Sequence, residues 1–247
     1  MSNAPKTLEG WYCLNDFRKI KWEIWNEISV QLRREILEEL LEVCKQWKVV
    51  EDEKTGSHAI FQILGHKADF LFMFLRPNLE ELAQAELAIN KTRFAKFTTQ
   101  STSYVSVVEL TNYLPEGKDP YSDTKIRERL YPQIPKTNNI CFYPMNKLRI
   151  GNDNWYMLTP DERNQMMKSH RIIGRSYNGK VRQIILSSVG LDDYEWGVAL
   201  FADDPIDFKK LIYEMRFDEV SARFAEFGTF YIGSYLGEEQ LTRLLNL

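Results

Sequence analysis

Cys141, Tyr143, Met145 and Lys147 recur at every second position of an apolar run over residues 140–148. Side chains alternate between the two faces of an extended strand, so these four share one face. A phenol, a thioether and an ammonium group turned the same way do not make a simple hydrophobic surface. They fit either the solvated face of an edge strand, with Pro144 marking the edge, or the wall of a reactive pocket. His170 is a second centre of interest. Met166 and Met167 precede it by four and three residues, so helical spacing sets it on an inward stripe. An inward histidine serves as a hydrogen-bonded core residue or, as in many haem proteins, as the single ligand that holds iron. The chain has three histidines, His58, His66 and His170, which rules out a His-rich metal site. Gln183 opens a later strand and presents an amide there, as a strand-end polar residue or as a site group. Arg129, Arg216 and Ser221 lie in a connector and around the end of a helix. Arginines are usually solvated, but a pocket for several carboxylates needs such donors, because the guanidinium fork binds carboxylate bidentately.

The elements that must carry these residues are written twice. Residues 59–64 and 70–75 read as strands flanking a turn at Gly65–Asp69, followed by a helix capped at Asn78 with Glu81 reciprocating. Residues 183–189 and 194–201 repeat that order around Gly190–Asp193, and Asp204-Pro205 opens the next helix with proline at its first position. In front of the first unit, residues 11–14 precede one long helix with Trp25, Ile28, Leu32, Ile36, Leu40 and Trp47 on its apolar face. In front of the second, the strand over 140–148 precedes a helix that starts at Thr159-Pro160-Asp161-Glu162, a capping box with proline at N1, and stops at Gly174. Each unit closes with a strand, over 104–110 and 228–235. The order β-α-β-β-α-β in both halves is the ferredoxin-like unit. The expected fold is therefore α+β, two fused ferredoxin-like units with antiparallel sheets facing each other. Residues 1–114 form the N-terminal half, 115–138 a proline-rich connector with one short helix over 122–129, and 139–247 the C-terminal half that carries the site.

Bulk properties narrow the function classes. Of 247 residues, 44% are hydrophobic and 27% charged, enough for a sizeable core. Thirty-two basic against 35 acidic residues give a net charge of −3, with no basic field for a nucleic acid. No apolar run approaches the roughly 20 residues that span a bilayer, and the first residues lack the apolar segment of a signal peptide. No membrane or nucleic acid is expected. The three scattered cysteines, Cys13, Cys44 and Cys141, read as reduced thiols of a cytoplasmic protein. Phosphate-cradling glycine loops, the G-x-S-x-G elbow and the H-E-x-x-H zinc motif are all absent.

Tyr143-Pro144-Met145-Asn146-Lys147, then His170, Gly174-Arg175-Ser176-Tyr177 and Gln183, resemble the coproheme decarboxylase family of the chlorite dismutase-like superfamily. Leu8–Tyr12 and Met215–Ser221 extend the likeness over essentially the whole chain. The resemblance implies a fold of the dimeric α/β-barrel type and a reaction in which hydrogen peroxide oxidatively converts two propionates of iron-coproporphyrin III to vinyls. The product would be haem b, reached through a three-propionate intermediate. The porphyrin would be both substrate and redox cofactor. It further implies that His170 is the proximal iron ligand, Tyr143 the radical-forming catalytic residue and Lys147 its assistant. Arg129 and Ser221 would help seat carboxylates, with Gln183 on the distal side. Pro144, Met145, Asn146 and Arg216 complete the expected substrate-contacting set. A homo-pentamer and transient contact with the preceding ferrochelatase are implied as partners. The rivals are a haem-binding or haem-transfer protein, which has no use for Tyr143, and a chlorite dismutase-like peroxidase.

Overall fold

The computed structural model describes residues 4–111 and 119–245. The first half runs β1 (Thr7–Ile20), α1 (Trp22–Glu27), α2 (Val30–Asp52), β2 (Ser57–Ile63), β3 (Phe70–Arg76), α3 (Leu79–Lys91) and β4 (Thr98–Thr111). A short α4 (Thr124–Leu130) precedes the second half. That half begins with β5 (Asn139–Lys147), a small hairpin of β6 (Arg149–Ile150) and β7 (Asp153–Asn154), and α5 (Pro160–Ser176). It continues through β8 (Arg182–Ser187), β9 (Trp196–Ala202), α6 (Ile206–Met215), α7 (Glu219–Phe224), β10 (Ala225–Phe227) and β11 (Tyr231–Tyr235), and α8 (Glu238–Leu245) follows.

Strand order is β2-β3-β1-β4 in one half and β11-β5-β9-β8 in the other, the same arrangement twice. The halves join edge to edge at two seams, Val107↔Ser187 with Val108↔Leu186 and Gly233↔Ile63 with Tyr235↔Phe61. The sheets therefore face each other across a shared interior as two walls of one closed antiparallel barrel. Closure leaves the main strands no free edge. Period-two alternation decides what fills the barrel. Trp11, Cys13, Phe17, Phe61, Leu71, Met73, Phe142, Ala199 and Phe201 point inward. Leu14, Ile60, Phe70, Phe72 and Phe74 point outward and are covered by α1, α2, α3 and α8 through Trp25, Ile36, Leu40, Trp47, Leu82, Ile89 and Leu241. Each such side chain taken from water stabilises the fold by about 1.5–3 kcal/mol.

Several elements depart from the sequence-based expectation. The long first helix is two, because Ile28 is extended and Ser29 starts α2 afresh by accepting from the Leu32 amide at 3.2 Å. Gly174 does not stop α5, which runs on to Ser176. Pro205 caps α6 rather than opening it, and the Asp204 carboxylate accepts from the Ile206 amide at 2.9 Å. The closing strand is split into β10 and β11, which lie in succession along β5. Pro144 falls at that split, so β5 holds a proline without being an edge; the Pro144 carbonyl accepts from the Gly228 amide at 2.8 Å. Pro115 of the connector lies outside the described residues.

Candidate functional site: a basic cavity beneath a helix that stands off its sheet

The outer face of the second-half sheet is covered differently from the first. Cys141, Tyr143, Val198, Leu200 and Ala202 project from β5 and β9 and meet Phe208 and Leu211 of α6. The helix α5, however, has no buried residue in seventeen, whereas α2 buries five. Its Thr159 capping box is complete: the hydroxyl accepts from the Glu162 amide and the Glu162 carboxylate accepts from the Thr159 amide at 2.7 Å. A well-started amphipathic helix has thus been propped on α6 and α7 instead of pressed onto the strands. Beneath it lies a cavity of about 2200 Å³, well above the usual range of small-ligand pockets.

The sequence-derived candidates divide between the walls of this cavity and its surroundings. Tyr143, Met145, Lys147, His170, Gln183, Arg129 and Ser221 all line it. Pro144, Asn146 and Arg216 are not brought there. Alternation turns Pro144 and Asn146 to the other side of β5, where the Asn146 amide oxygen accepts from the Glu195 amide at 3.0 Å. Arg216, at the end of α6, lays its guanidinium over the Phe227 ring at 4.6 Å.

His170 reaches the cavity from α5, and its ring is oriented by a carboxylate. Nδ1 lies 2.9 Å from Oδ2 of Asp218, whose side chain is fully buried. Asp218 is held in turn by the Ser169 hydroxyl, which donates to it at 2.6 Å, and it caps α7 at the Ser221 amide, 3.4 Å away. A carboxylate only accepts, so the bond keeps the proton on Nδ1 and leaves the Nε2 lone pair for a ligand. Burial, the larger influence, moves the imidazole below its ordinary titration range, against the opposing pull of Asp218. This carboxylate–histidine pairing suits a metal-bound imidazole. Among the described residues no cluster of three or more His, Cys, Asp or Glu could hold a bare ion. The donor set would fit an iron already held in a macrocycle, for which the His170 imidazole would be the one protein ligand.

Tyr143 lies on the sheet side, 8% exposed, stacked on Phe230 with ring centres 4.5 Å apart and beside Phe227 at 5.6 Å. Burial raises its phenol above the usual range and keeps it neutral. Lys147, four residues along on the same face, holds its ammonium over the Trp155 ring at 4.8 Å, and Trp155 leans on Phe224 at 5.4 Å. Burial brings Lys147 from 10.5 down to about 8, opposed by Asp218 and Glu195. The Lys147 amide donates to the Glu195 carboxylate at 2.8 Å, which fixes the strand end. Gly174, one turn beyond His170, faces the Gln183 amide, whose Nε2 lies 3.9 Å from where a Cβ would stand. Asp218, Trp155 and Glu195 were not singled out in the sequence. An Asp three residues before a Ser signals a helix cap and nothing more, and the other two carry no local signal.

The electrostatics of the wall oppose those of the chain. Among the described residues nine Lys or Arg line the cavity, Arg127, Arg129, Arg163, Arg171, Arg175 and Arg182 among them, against Glu109 and Glu128. A net-negative protein has gathered positive charge around one hollow, the arrangement that receives a polyanion. Apolar Val198, Leu200, Leu211, Ile212 and Met215 in the same wall suit a large flat apolar body.

A family model described as chlorite dismutase matches residues 33–236. A novel haem-binding protein from Thermus thermophilus shares 46% identity over 100% of this chain and 99% of its own, with a TM-score of 0.96. A point variant of chlorite dismutase from Candidatus Nitrospira defluvii superposes with a TM-score of 0.77 at 17% identity, over 97% of this chain and 96% of its own. The imidazole complex of that organism's enzyme gives 0.78 at 17% identity over the same shares.

Proposed function

Because the chain belongs to the chlorite dismutase family, whose members are haem enzymes, we propose that it is a coproheme decarboxylase. The observation that carries this reading is the buried, neutral phenol of Tyr143 in the wall of a basic cavity that also holds an oriented histidine. A haem-binding role needs the histidine and the basic wall; a phenol kept from water and neutral is what hydrogen-atom abstraction needs in addition. The substrate is iron-coproporphyrin III, and its four carboxylates account for the positive lining.

For each propionate, one hydrogen peroxide and one proton are consumed, and a vinyl group, carbon dioxide and two waters are released. The propionate carbon chain is oxidised by two electrons and the peroxide oxygens are reduced. The bound ferric porphyrin supplies activation of the peroxide. His170 holds the iron through Nε2, and Asp218 keeps that nitrogen unprotonated by fixing the proton on Nδ1. Tyr143, oxidised to a neutral radical, takes a hydrogen atom from the propionate. Loss of the carboxylate and of a second electron then leaves the alkene. Lys147, with a pKa of about 8, carries its ammonium proton at neutral pH on the same face of β5 as Tyr143 and lines the same cavity; it is the group to deliver the proton the balance requires. Arg129 and Ser221 hold carboxylates, and Gln183 faces the peroxide side.

The test is to mix the protein with ferric coproporphyrin III, titrate peroxide, and follow porphyrin mass. Two successive losses, each of one carbon dioxide and two hydrogens, with Tyr143→Phe binding substrate but stalled, are the expected result. The haem-binding relative at 46% identity favours a second reading, a carrier. On that reading Tyr143→Phe changes nothing and the wild type only bleaches.

A further inference from the structure

Two of the arginines on the cavity wall, Arg127 and Arg129, ride on α4. Seven residues are too few for a helix to hold itself together in water, so α4 depends on what it is docked against. The dock lies in the N-terminal half. β1 pairs with β4 at Glu9↔Glu109 and next at Tyr12↔Val107, so Gly10 and Trp11 oppose the single residue Val108, a β-bulge. The last turn of α4 sits on that bulge. Leu130 is fully buried, and the ring of the following Tyr131 meets Trp11 edge-on at 5.7 Å. The Tyr121 hydroxyl donates to the Glu9 carbonyl at 3.3 Å just before α4 begins. A Cβ on Gly10 would overlap the Leu130 carbonyl and lie 2.8 Å from its Cα. The obstacle is backbone, which no rotamer change relieves. Gly10 has no left-handed φ, so the absence of a side chain is the property in use.

We infer that Gly10 is a positioning residue for carboxylate binding: the bulge it makes seats α4 so that Arg127 and Arg129 stand over the cavity. This rests on the reading of the cavity as a site for a tetracarboxylate porphyrin. The N-terminal half thereby contributes to a site built mainly in the other half.

Affinity for ferric coproporphyrin III is measured by absorbance titration for wild type, Gly10→Ala, Arg129→Ala and the double variant, and exchange of the α4 amides is followed by mass spectrometry without ligand. Charge-assisted hydrogen bonds set the scale for loss of Arg129 at roughly tenfold in Kd. Gly10→Ala should lose a similar factor, the double variant less than about threefold more than either single, and α4 should exchange faster in Gly10→Ala. Unchanged affinity, unchanged α4 exchange, or losses that multiply would each overturn the role of Gly10. Should the wild type fail to bind the porphyrin, the porphyrin reading itself falls, while α4 exchange still decides whether Gly10 seats the helix. If Gly10→Ala does not fold, Leu130→Ala loosens the same seat by removing the buried side chain that anchors the last turn of α4. Faster α4 exchange with a loss of affinity that does not multiply with Arg129→Ala is then expected, and unchanged affinity would overturn the role of the seat.

Discussion

Lys147 is a charged side chain kept where charge is disfavoured, and it costs the empty protein stability. Its ammonium lies over Trp155 and burial brings it to about 8 from 10.5. Below pH 8 the folded chain carries a desolvated cation. Between about 8 and 10.5 the unfolded chain binds the proton and the folded chain does not, so stability rises with pH there. Lys147→Met should therefore stabilise the ligand-free protein at pH 7 by about 1–2 kcal/mol in denaturant titration while abolishing decarboxylation. The wild type should regain the difference as pH rises through 8 to 10.5. A variant less stable than wild type at pH 7 would show that the ammonium is well solvated after all. The alternation that groups Tyr143 with Lys147 is legible from spacing alone. The partners that tune Lys147, Asp218 and Glu195, come from 71 and 48 residues further along the chain, and no local pattern announces such pairings.

At the scale of elements, α5 is the unusual one. Its start was foreseeable from Thr159-Pro160 and Glu162, and so was the inward turn of His170. Its distance from the sheet was not, because an amphipathic stripe says which face turns inward and not whether that face makes contact. The same limit explains the split of the first helix at Ile28 and Ser29. Trp25 and Ile36 keep helical spacing across the break, and only the Ser29 cap marks it. The bulge at Gly10 escapes pattern reading too, since one extra residue in a strand changes the register against a partner nearly a hundred positions away. A helix that buries none of its residues should open easily. Amide exchange in α5 is expected to be faster than in α2 in the ligand-free protein, and saturating ferric coproporphyrin III should slow α5 and leave α2 unchanged. Equal protection of the two helices without ligand would mean that α5 is held by contacts other than those of its inward face.

Across the whole molecule, composition and local electrostatics disagree usefully. A net charge of −3 predicts no affinity for polyanions, yet the cavity wall is strongly basic. The field that matters is that of the cavity, and it should act on the rate of encounter. Raising salt from 0.1 to 1 M shortens the screening length from about 10 to about 3 Å. The association rate of coproporphyrin should fall by roughly tenfold or more over that range, with dissociation changing much less. A salt-independent rate would assign the arginines to the bound complex alone. The doubled β-α-β-β-α-β plan was readable because both halves place turn and cap residues at corresponding points. Closure into one barrel was legible through the family resemblance and not through the pattern, since the seams at Val107–Ser187 and Gly233–Ile63 depend on strand twist summed around the ring.

The two halves share one plan, but one has its outer face sealed by Trp47, Leu40 and Phe74 while the other is hollow. A duplicated architecture has thus divided its labour. The sealed copy supplies rigidity, and through the two seams it lends that rigidity to a copy that could not maintain an open hollow alone. Tolerance to substitution should be lopsided as a result. Changes beneath the sealed outer face, away from the bulge at Gly10, should be read out as lower abundance of an otherwise competent protein. Changes around the hollow should leave abundance intact, or even raise it, and appear only in the chemistry.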